Sequence, residues 1–127
     1  MLQRGDLVPM FTVTDVRDGA RVAYIDFWQH QELLLVTTRS DDTSGEAYVA
    51  LLAARAGVLQ EGDARLVITA DPIPGMPAPG VLVADQWGEI YLVEGADRAA
   101  QLPPPDDLAD WLRYVQMQCP ECQGEIR

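Results

Sequence analysis

Cys119-Pro120-Glu121-Cys122 is the one stretch of this sequence whose residue types and spacing carry chemistry by themselves. Its two cysteines are the only thiols in 127 residues. Two residues between the sulfurs allow a disulfide to close, so the pair is a candidate dithiol for redox exchange with a thiol or protein partner. The same spacing with Gly124 close behind is also that of a zinc knuckle, in which both thiolates reach one ion. Structural zinc takes four ligands, so that reading needs a second Cys119/Cys122 pair from another chain in a homodimer, or ligands from a partner protein. A third reading gives the pair no role. Cys119 falls four residues after Val115 on the apolar stripe of the preceding segment and packs there as a small hydrophobe, leaving Cys122 incidental.

Thiolate formation is disfavoured at this place. The pair follows a helical segment whose C-terminal end is negative, Glu121 lies between the sulfurs, and the chain carries a formal net charge of −11. Slow electron exchange with a partner thiol is the chemistry that remains.

The rest of the composition removes alternatives. All nine basic residues are arginine, so a phosphate-cradling lysine, a Schiff-base lysine and a pyridoxal-phosphate anchor are excluded. His30 is the single histidine, which excludes a two-histidine zinc protease site, and its place in a turn reads as a surface imidazole. Asp41, Asp42 and Glu46 read as the solvated start of a helix, with a divalent cation site as the minor alternative. Trp28 and Trp87 read as packing or rim residues, and their nearness to a proline-rich loop makes an interface patch a secondary expectation. The acidic balance argues against nucleic acid and against anionic membrane surfaces. No apolar run approaches the ~18 residues of a membrane span, and the opening Met1-Leu2-Gln3-Arg4-Gly5-Asp6 leads into no apolar leader core. These features predict a soluble, cytoplasmic chain with one core.

The elements that must position these residues are legible from periodicity. Phe11 to Val16 alternates, Arg17-Asp18-Gly19-Ala20 turns, and Val22 to Ile25 completes a hairpin. Leu33 to Thr38 is an unbroken apolar and β-branched run, as a strand covered on both faces requires. Thr43 and Glu46 have capping-box spacing ahead of a helix with Val49, Leu52, Ala53 and Ala56 on one stripe. Leu66 to Thr69 is the next strand, which makes a β-α-β unit with parallel strands. Four prolines between Asp71 and Gly80 exclude helix and paired strand there. Val81–Ala84 and Ile90–Val93 flank a turn at Asp85-Gln86-Trp87-Gly88. After Pro103-Pro104-Pro105, Asp106 or Asp107 caps a last helix with Leu108, Trp111, Leu112 and Val115 on one stripe. Residues 1–118 are expected to form the domain and residues 119–127 a cysteine-bearing tail.

Hairpin, β-α-β, proline loop, hairpin and C-terminal helix in this order resemble the thioredoxin-like α/β fold, in its peroxiredoxin or redoxin branch. Gly5-Asp6-Leu7-Val8-Pro9-Met10-Phe11-Thr12-Val13 is similar to the family opening GDxAPxFTL, and Asp15-Val16-Arg17-Asp18-Gly19 to its D-x-x-G turn. Ile25-Asp26-Phe27 with Leu33-Leu34-Leu35-Val36 is similar to its L-x-D-F…VLLVF. Ala78-Pro79-Gly80-Val81-Leu82-Val83-Ala84-Asp85 with Gly88-Glu89-Ile90 is similar to xPxxFLIDxxGxI. The resemblance implies a central mixed sheet and a cis bond before Pro79. It also implies a peroxide-attacking cysteine at the start of the first core helix, in a pattern like P-x-x-x-T-x-x-C. By spacing, Arg39 falls at that proline, Thr43 at the threonine and Glu46 at the cysteine, so peroxidase activity is not expected. The loop from Asp71 to Pro79 is too short for the helix that the family has there. One sheet face is therefore expected to be thinly covered and open to a partner or second subunit.

Overall fold

Leu33, Leu34, Leu35 and Val36 have no exposed surface, and this follows from a strand with no polar side chain before its last residue. The structure, a computed structural model, describes residues 1–60 and 64–118. The Cys119/Cys122 pair and the rest of residues 119–127 lie outside the described residues. The strands are β1 (Thr12–Thr14), β2 (Arg21–Ala23), β3 (Leu33–Thr37), β4 (Arg65–Thr69), β5 (Gly80–Ala84) and β6 (Ile90–Gly95). The helices are α1 (Gly45–Ala54), the short α2 (Ala56–Leu59) and α3 (Pro105–Met117), with 3-10 turns at Tyr24–Asp26 and Ala99–Gln101.

β1 and β2 form the expected antiparallel hairpin, and the other four strands form one sheet in the order β4-β3-β5-β6. Leu35 stands opposite Val67 in parallel β4 and opposite Leu82 in antiparallel β5. The sheet is mixed, and the parallel β3 and β4 are joined through α1 and α2 as the β-α-β pattern requires. β5 and β6 are antiparallel, with a register shift between Val83 and Ala84.

Strand alternation sends side chains to two separate cores. Leu34, Val36, Leu66, Ile68, Val81 and Val83 pack with Tyr48 and Leu52 of α1, Leu59 of α2, and Leu108, Leu112 and Val115 of α3. Leu33, Leu35, Val67, Leu82 and Ala84 pack on the other side with Phe11, Val13, Val22, Tyr24, Phe27 and Ile73. Each fully buried Leu or Val contributes roughly 1.5–3 kcal/mol, so both faces matter to stability.

The second face corrects the expectation of thin cover. The Phe11 and Tyr24 rings stack with centroids 5.2 Å apart, and Phe27 meets Tyr24 edge-on at 5.3 Å. The proline loop has no helix but contributes buried Ile73, and the folded-back hairpin supplies the remaining area. The Tyr24 hydroxyl is buried with no hydrogen-bond partner among the described residues. Burial, with the nearby Asp85 charge adding to it, pushes its phenol up to about 12.

The hairpin is fastened to β4 through Asp15. This buried carboxylate accepts hydrogen bonds from Arg17 Nε at 3.0 Å and Nη2 at 2.9 Å, and from the backbone N–H groups of Arg17 at 2.9 Å and Ile68 at 3.2 Å. Arg17 Nη2 also donates to the Leu66 carbonyl at 2.8 Å. Burial pushes the Asp15 carboxyl up, but the Arg17 and Ile68 hydrogen bonds outweigh it and hold the group below its ordinary value.

Two helix starts differ from expectation. Ser44 is the N-cap of α1 and makes no side-chain cap bond, while Thr43 and Glu46 are both exposed, so the capping box does not form. The chain also breaks between α1 and α2, so Tyr48 and Leu52 are the α1 side chains that enter the core and Ala53 is exposed. α3 starts with Pro104 as N-cap and Pro105 at its first position, which places Asp106 and Asp107 in the first turn instead of at the cap. Proline is suited to that position because the first-turn N–H it lacks has no intrahelical partner anyway.

The Ala78–Pro79 bond is cis, at the proline singled out by the resemblance. Just before it, the Pro77 carbonyl accepts the Thr37 hydroxyl at 2.5 Å. A Cβ on Gly80 would stand 2.5 Å from the Pro77 carbonyl oxygen, and one on Gly95 would stand 2.5 Å from Pro77 Cβ. Among the described residues, no helix is long and apolar enough to cross a membrane.

Candidate functional site

The C-terminal end of β3 and the start of α1 border an open cleft of about 610 Å³, lined by Thr38, Arg39, Ser40, Thr43, Gly45 and Glu46 with Val16 and Val49 at its apolar side. This is the position at which the redoxin pattern carries its cysteine. Two of its charged groups, Arg39 and Asp42, are already engaged. Arg39 donates to Asp41 from Nε at 3.0 Å and Nη2 at 2.6 Å, and the hydrogen bond from Arg39 holds the Asp41 carboxyl below its usual range.

The side-chain bonds at the start of α1 are made by Asp42, not by Thr43 or Glu46, and they hold the N-cap residue Ser44. Asp42 Oδ1 accepts the Ser44 backbone N–H at 3.0 Å and the Ser44 hydroxyl at 2.7 Å, and its Oδ2 accepts the Ala99 N–H at 2.6 Å. Ser44 Oγ in turn accepts the Ala100 N–H at 3.1 Å. The Ser44 and Ala99 bonds keep the Asp42 carboxyl below its ordinary value. The Tyr48 hydroxyl donates to the Pro103 carbonyl at 2.6 Å, and burial with the Glu94 charge drives its phenol upward. The start of α1 is thereby tied to the segment that leads into α3. The local signal was present in Asp42-Thr43-Ser44, an Asx-turn pattern, but the bonds to Ala99 and Ala100 span more than 50 residues and have no sequence signature.

What the cleft can do chemically is limited. It offers the hydroxyls of Ser40 and Thr43, the Glu46 carboxylate and the Arg39 guanidinium, with no thiol and no imidazole. No group of three or more His, Cys, Asp or Glu side chains among the described residues stands close enough to hold a metal ion. The minor cation reading of Asp41, Asp42 and Glu46 gains nothing here, because Asp41 is held by Arg39 and Asp42 by Ser44 and Ala99. His30 is exposed. Trp28 and Trp87 do come together, with Trp28 Nε1 donating to the Trp87 carbonyl at 3.2 Å. Thr43 and Glu46 line the cleft at the start of α1 and Pro79 carries the cis bond, whereas Cys119 and Cys122 fall outside the described residues.

No protein-family model matches the sequence, and no curated protein matches it. Solved structures do resemble it. A reduced 2-Cys peroxiredoxin of Plasmodium vivax superposes with a TM-score of 0.71 at 12% identity, over 91% of this chain and 97% of that one. A thiol peroxidase of Chromobacterium violaceum gives 0.61 at 18% identity, over 91% and 88% of the two chains. The thioredoxin domain of a thiol-disulfide oxidoreductase of Bacteroides vulgatus gives 0.55 at 16%, over 90% and 98%. What is shared at such identities is architecture: this chain has a thioredoxin-like fold, in the arrangement also found in peroxiredoxins and thiol peroxidases.

Proposed function

We propose that this chain is a thiol-disulfide redox protein whose reactive group is the Cys119/Cys122 dithiol, carried on a thioredoxin-like scaffold without the redoxin thiol at the start of α1. One observation carries the reading. The fold is shared with redox proteins, residues 1–118 contain no cysteine, and in the sequence the two thiols have disulfide spacing directly after α3. Exchange runs by attack of one thiolate on a partner disulfide, followed by closure of the Cys119–Cys122 bond. Turnover is slow because the negative helix end and Glu121 disfavour thiolate. Peroxide chemistry is not part of the reading, since by spacing Glu46 falls at the position of that thiol. The reading takes the chain to be cytoplasmic, where thiol pools return such a pair to its reduced form.

Native mass spectrometry of the freshly purified chain, coupled to a glutathione redox titration, tests it. The expected result is a reversible two-electron couple with loss of two hydrogens on oxidation. A pair that cannot be oxidised without aggregation removes the reading. A zinc-bearing dimer replaces it with the shared-knuckle alternative, in which Cys119 and Cys122 of two chains complete one tetrahedral site.

A further inference from the structure

The two edges of the four-stranded sheet are finished differently. The β4 edge is closed by the chain itself: Arg17 donates to the Leu66 carbonyl, Asp15 accepts the Ile68 N–H, and the Val16 N–H donates to the Ile68 carbonyl at 2.8 Å. At the other edge, β6 has only β5 beside it in the strand order. Glu94 stands opposite Val81 and Gly95 opposite Gly80, and the Ala96 N–H donates to the Pro79 carbonyl at 3.2 Å. Main-chain groups alternate between the two sides of a strand, so Glu94 and Ala96 turn theirs toward β5. Val93 and Gly95 turn their N–H and C=O groups outward, where no described residue bonds them.

The first part of the same edge shows what it accepts. Leu7 pairs antiparallel with Glu89, the Ile90 N–H donates to the Asp6 carbonyl at 2.9 Å, and the Gly5 N–H donates to the Ile90 carbonyl at 2.8 Å. That pairing stops at Gly5, whose φ of +93° turns the chain. Upstream of it the Leu2 N–H bonds the Gly75 carbonyl instead, at 2.9 Å. The stretch that remains open has a mixed character. Val93 is half-buried, and Tyr114 of α3, 43% exposed, meets Tyr91 edge-on at 6.1 Å. Glu94 is exposed and has no ion-pair partner among the described residues.

We infer that the open stretch of β6 binds a partner protein through an extended segment, which adds to the sheet as a further strand and sets a lysine or arginine opposite Glu94. The inference does not depend on the Cys119/Cys122 pair. Its occupant follows from two separate features. The outward groups of Val93 and Gly95 match the donors and acceptors of an extended main chain, as the Gly5–Leu7 segment already does at Ile90. The unpaired Glu94 selects a cation as its cross-strand neighbour. Residues flanking that cation fall on the opposite face of the sheet, where an apolar side chain covers Val93. A second copy of this chain is a poor occupant, because it brings the same Glu94 and a further net charge of −11.

The test follows the Val93 and Gly95 amide signals of the full chain by NMR during titration with three blocked peptides, Thr-Val-Xaa-Val-Thr, with lysine, serine or glutamate in the centre. The lysine peptide is expected to move both signals and to bind about two- to fivefold more tightly than the serine peptide, the size of one cross-strand charge pair, with glutamate weakest. Glu94→Lys should reverse that order. Val93→Pro removes one outward N–H from an edge strand and no bond to β5, and it should leave the Gly95 signal unmoved by any of the peptides. Signals that none of the three peptides moves in the parent chain overturn the inference, and so does equal binding of all three. Protection of the Val93 and Gly95 amides that grows with protein concentration in the absence of peptide gives the edge to a second copy, and also overturns it.

Discussion

At the start of α1, the positive end of a helix dipole and the Arg39 guanidinium border an open cleft of about 610 Å³, and residues 1–118 bring no cysteine to it. At the end of α3 the assignment is reversed. Two cysteines follow a negative helix end whose last turn contains no basic residue, in a chain of net charge −11. One region has a positive helix end and no thiol, and the other has two thiols that follow a negative helix end in sequence. A helix terminus is worth ~0.3–1 kcal/mol to a nearby charge. The difference therefore sets how fast a thiol reacts, while the position of the sulfurs decides whether any reaction occurs.

The most severe way to break this comparison is to remove the sulfurs. Cys119→Ser with Cys122→Ser should abolish disulfide exchange completely while leaving urea unfolding within about 0.5 kcal/mol of the parent, because the redox reading gives the pair no part in the core. A large loss of stability or of a dimer would instead point to zinc-bridged chains.

Next in size is the frame beside the α1 cleft. Asp15→Ala deletes a buried carboxylate with four hydrogen bonds, and it leaves Arg17 facing the β4 backbone without its partner. A loss of about 2–4 kcal/mol is expected in chemical denaturation. The acid limb supplies the sign. Because the folded Asp15 carboxyl titrates below its ordinary value, its contribution is fully present above the usual carboxylate range and is lost as pH falls from about 4 toward the folded value. Asp15→Asn should therefore flatten the stability-versus-pH curve in that window, and an unchanged slope would contradict the assignment.

The link between the two regions is smaller. Tyr48→Phe removes the hydroxyl that joins α1 to the Pro103 carbonyl and should cost about 1 kcal/mol in thermal or urea unfolding. The smallest effect sharpens the comparison directly. Glu46→Cys places a thiol at the favourable helix end, and at neutral pH it should be alkylated by iodoacetamide two- to fivefold faster than Cys119 or Cys122, as ~0.3–1 kcal/mol of helix-end stabilisation implies. Equal rates would show that the helix ends do not separate the two regions.

The sequence signals that held were local or strongly periodic. The unbroken run from Leu33 could pack only as a doubly covered strand. The spacing of Val81–Ala84 and Ile90–Val93 around Asp85-Gln86-Trp87-Gly88 required a hairpin, and the four prolines excluded helix between them and β4. The failures were contacts distant in sequence. Thr43 and Glu46 had the right spacing for a cap, yet Asp42 and Ser44 make the side-chain bonds there, because the Ala99 N–H reaches Asp42 and the Ala100 N–H reaches Ser44 from the lead-in to α3. The second sheet face looked bare because no helix could be placed there, and its cover comes from Phe11, Tyr24, Phe27 and Ile73, which lie in three separate stretches of chain. At the candidate site, the absence of a redoxin cysteine was readable from residues 1–118 alone. The aromatic contacts of α3 were only half visible, since Trp111 was read on the apolar stripe of the last helix, while Arg4 over its ring and Tyr91 against Tyr114 arrive from other elements.

Pro77, Gly80 and Gly95 lie on a loop and two neighbouring strands, yet they constrain each other as one unit. With the proline in place, any side chain at either glycine would overlap it at 2.5 Å. Among descendants of this sequence, a proline at 77 should thus be inherited with glycine at both other positions. A methyl at 95 meets the Pro77 Cβ and should be tolerated only on backgrounds where 77 has become glycine, whereas a methyl at 80 meets the Pro77 carbonyl oxygen, which every residue at 77 keeps, so glycine at 80 stays required for as long as the loop holds its path.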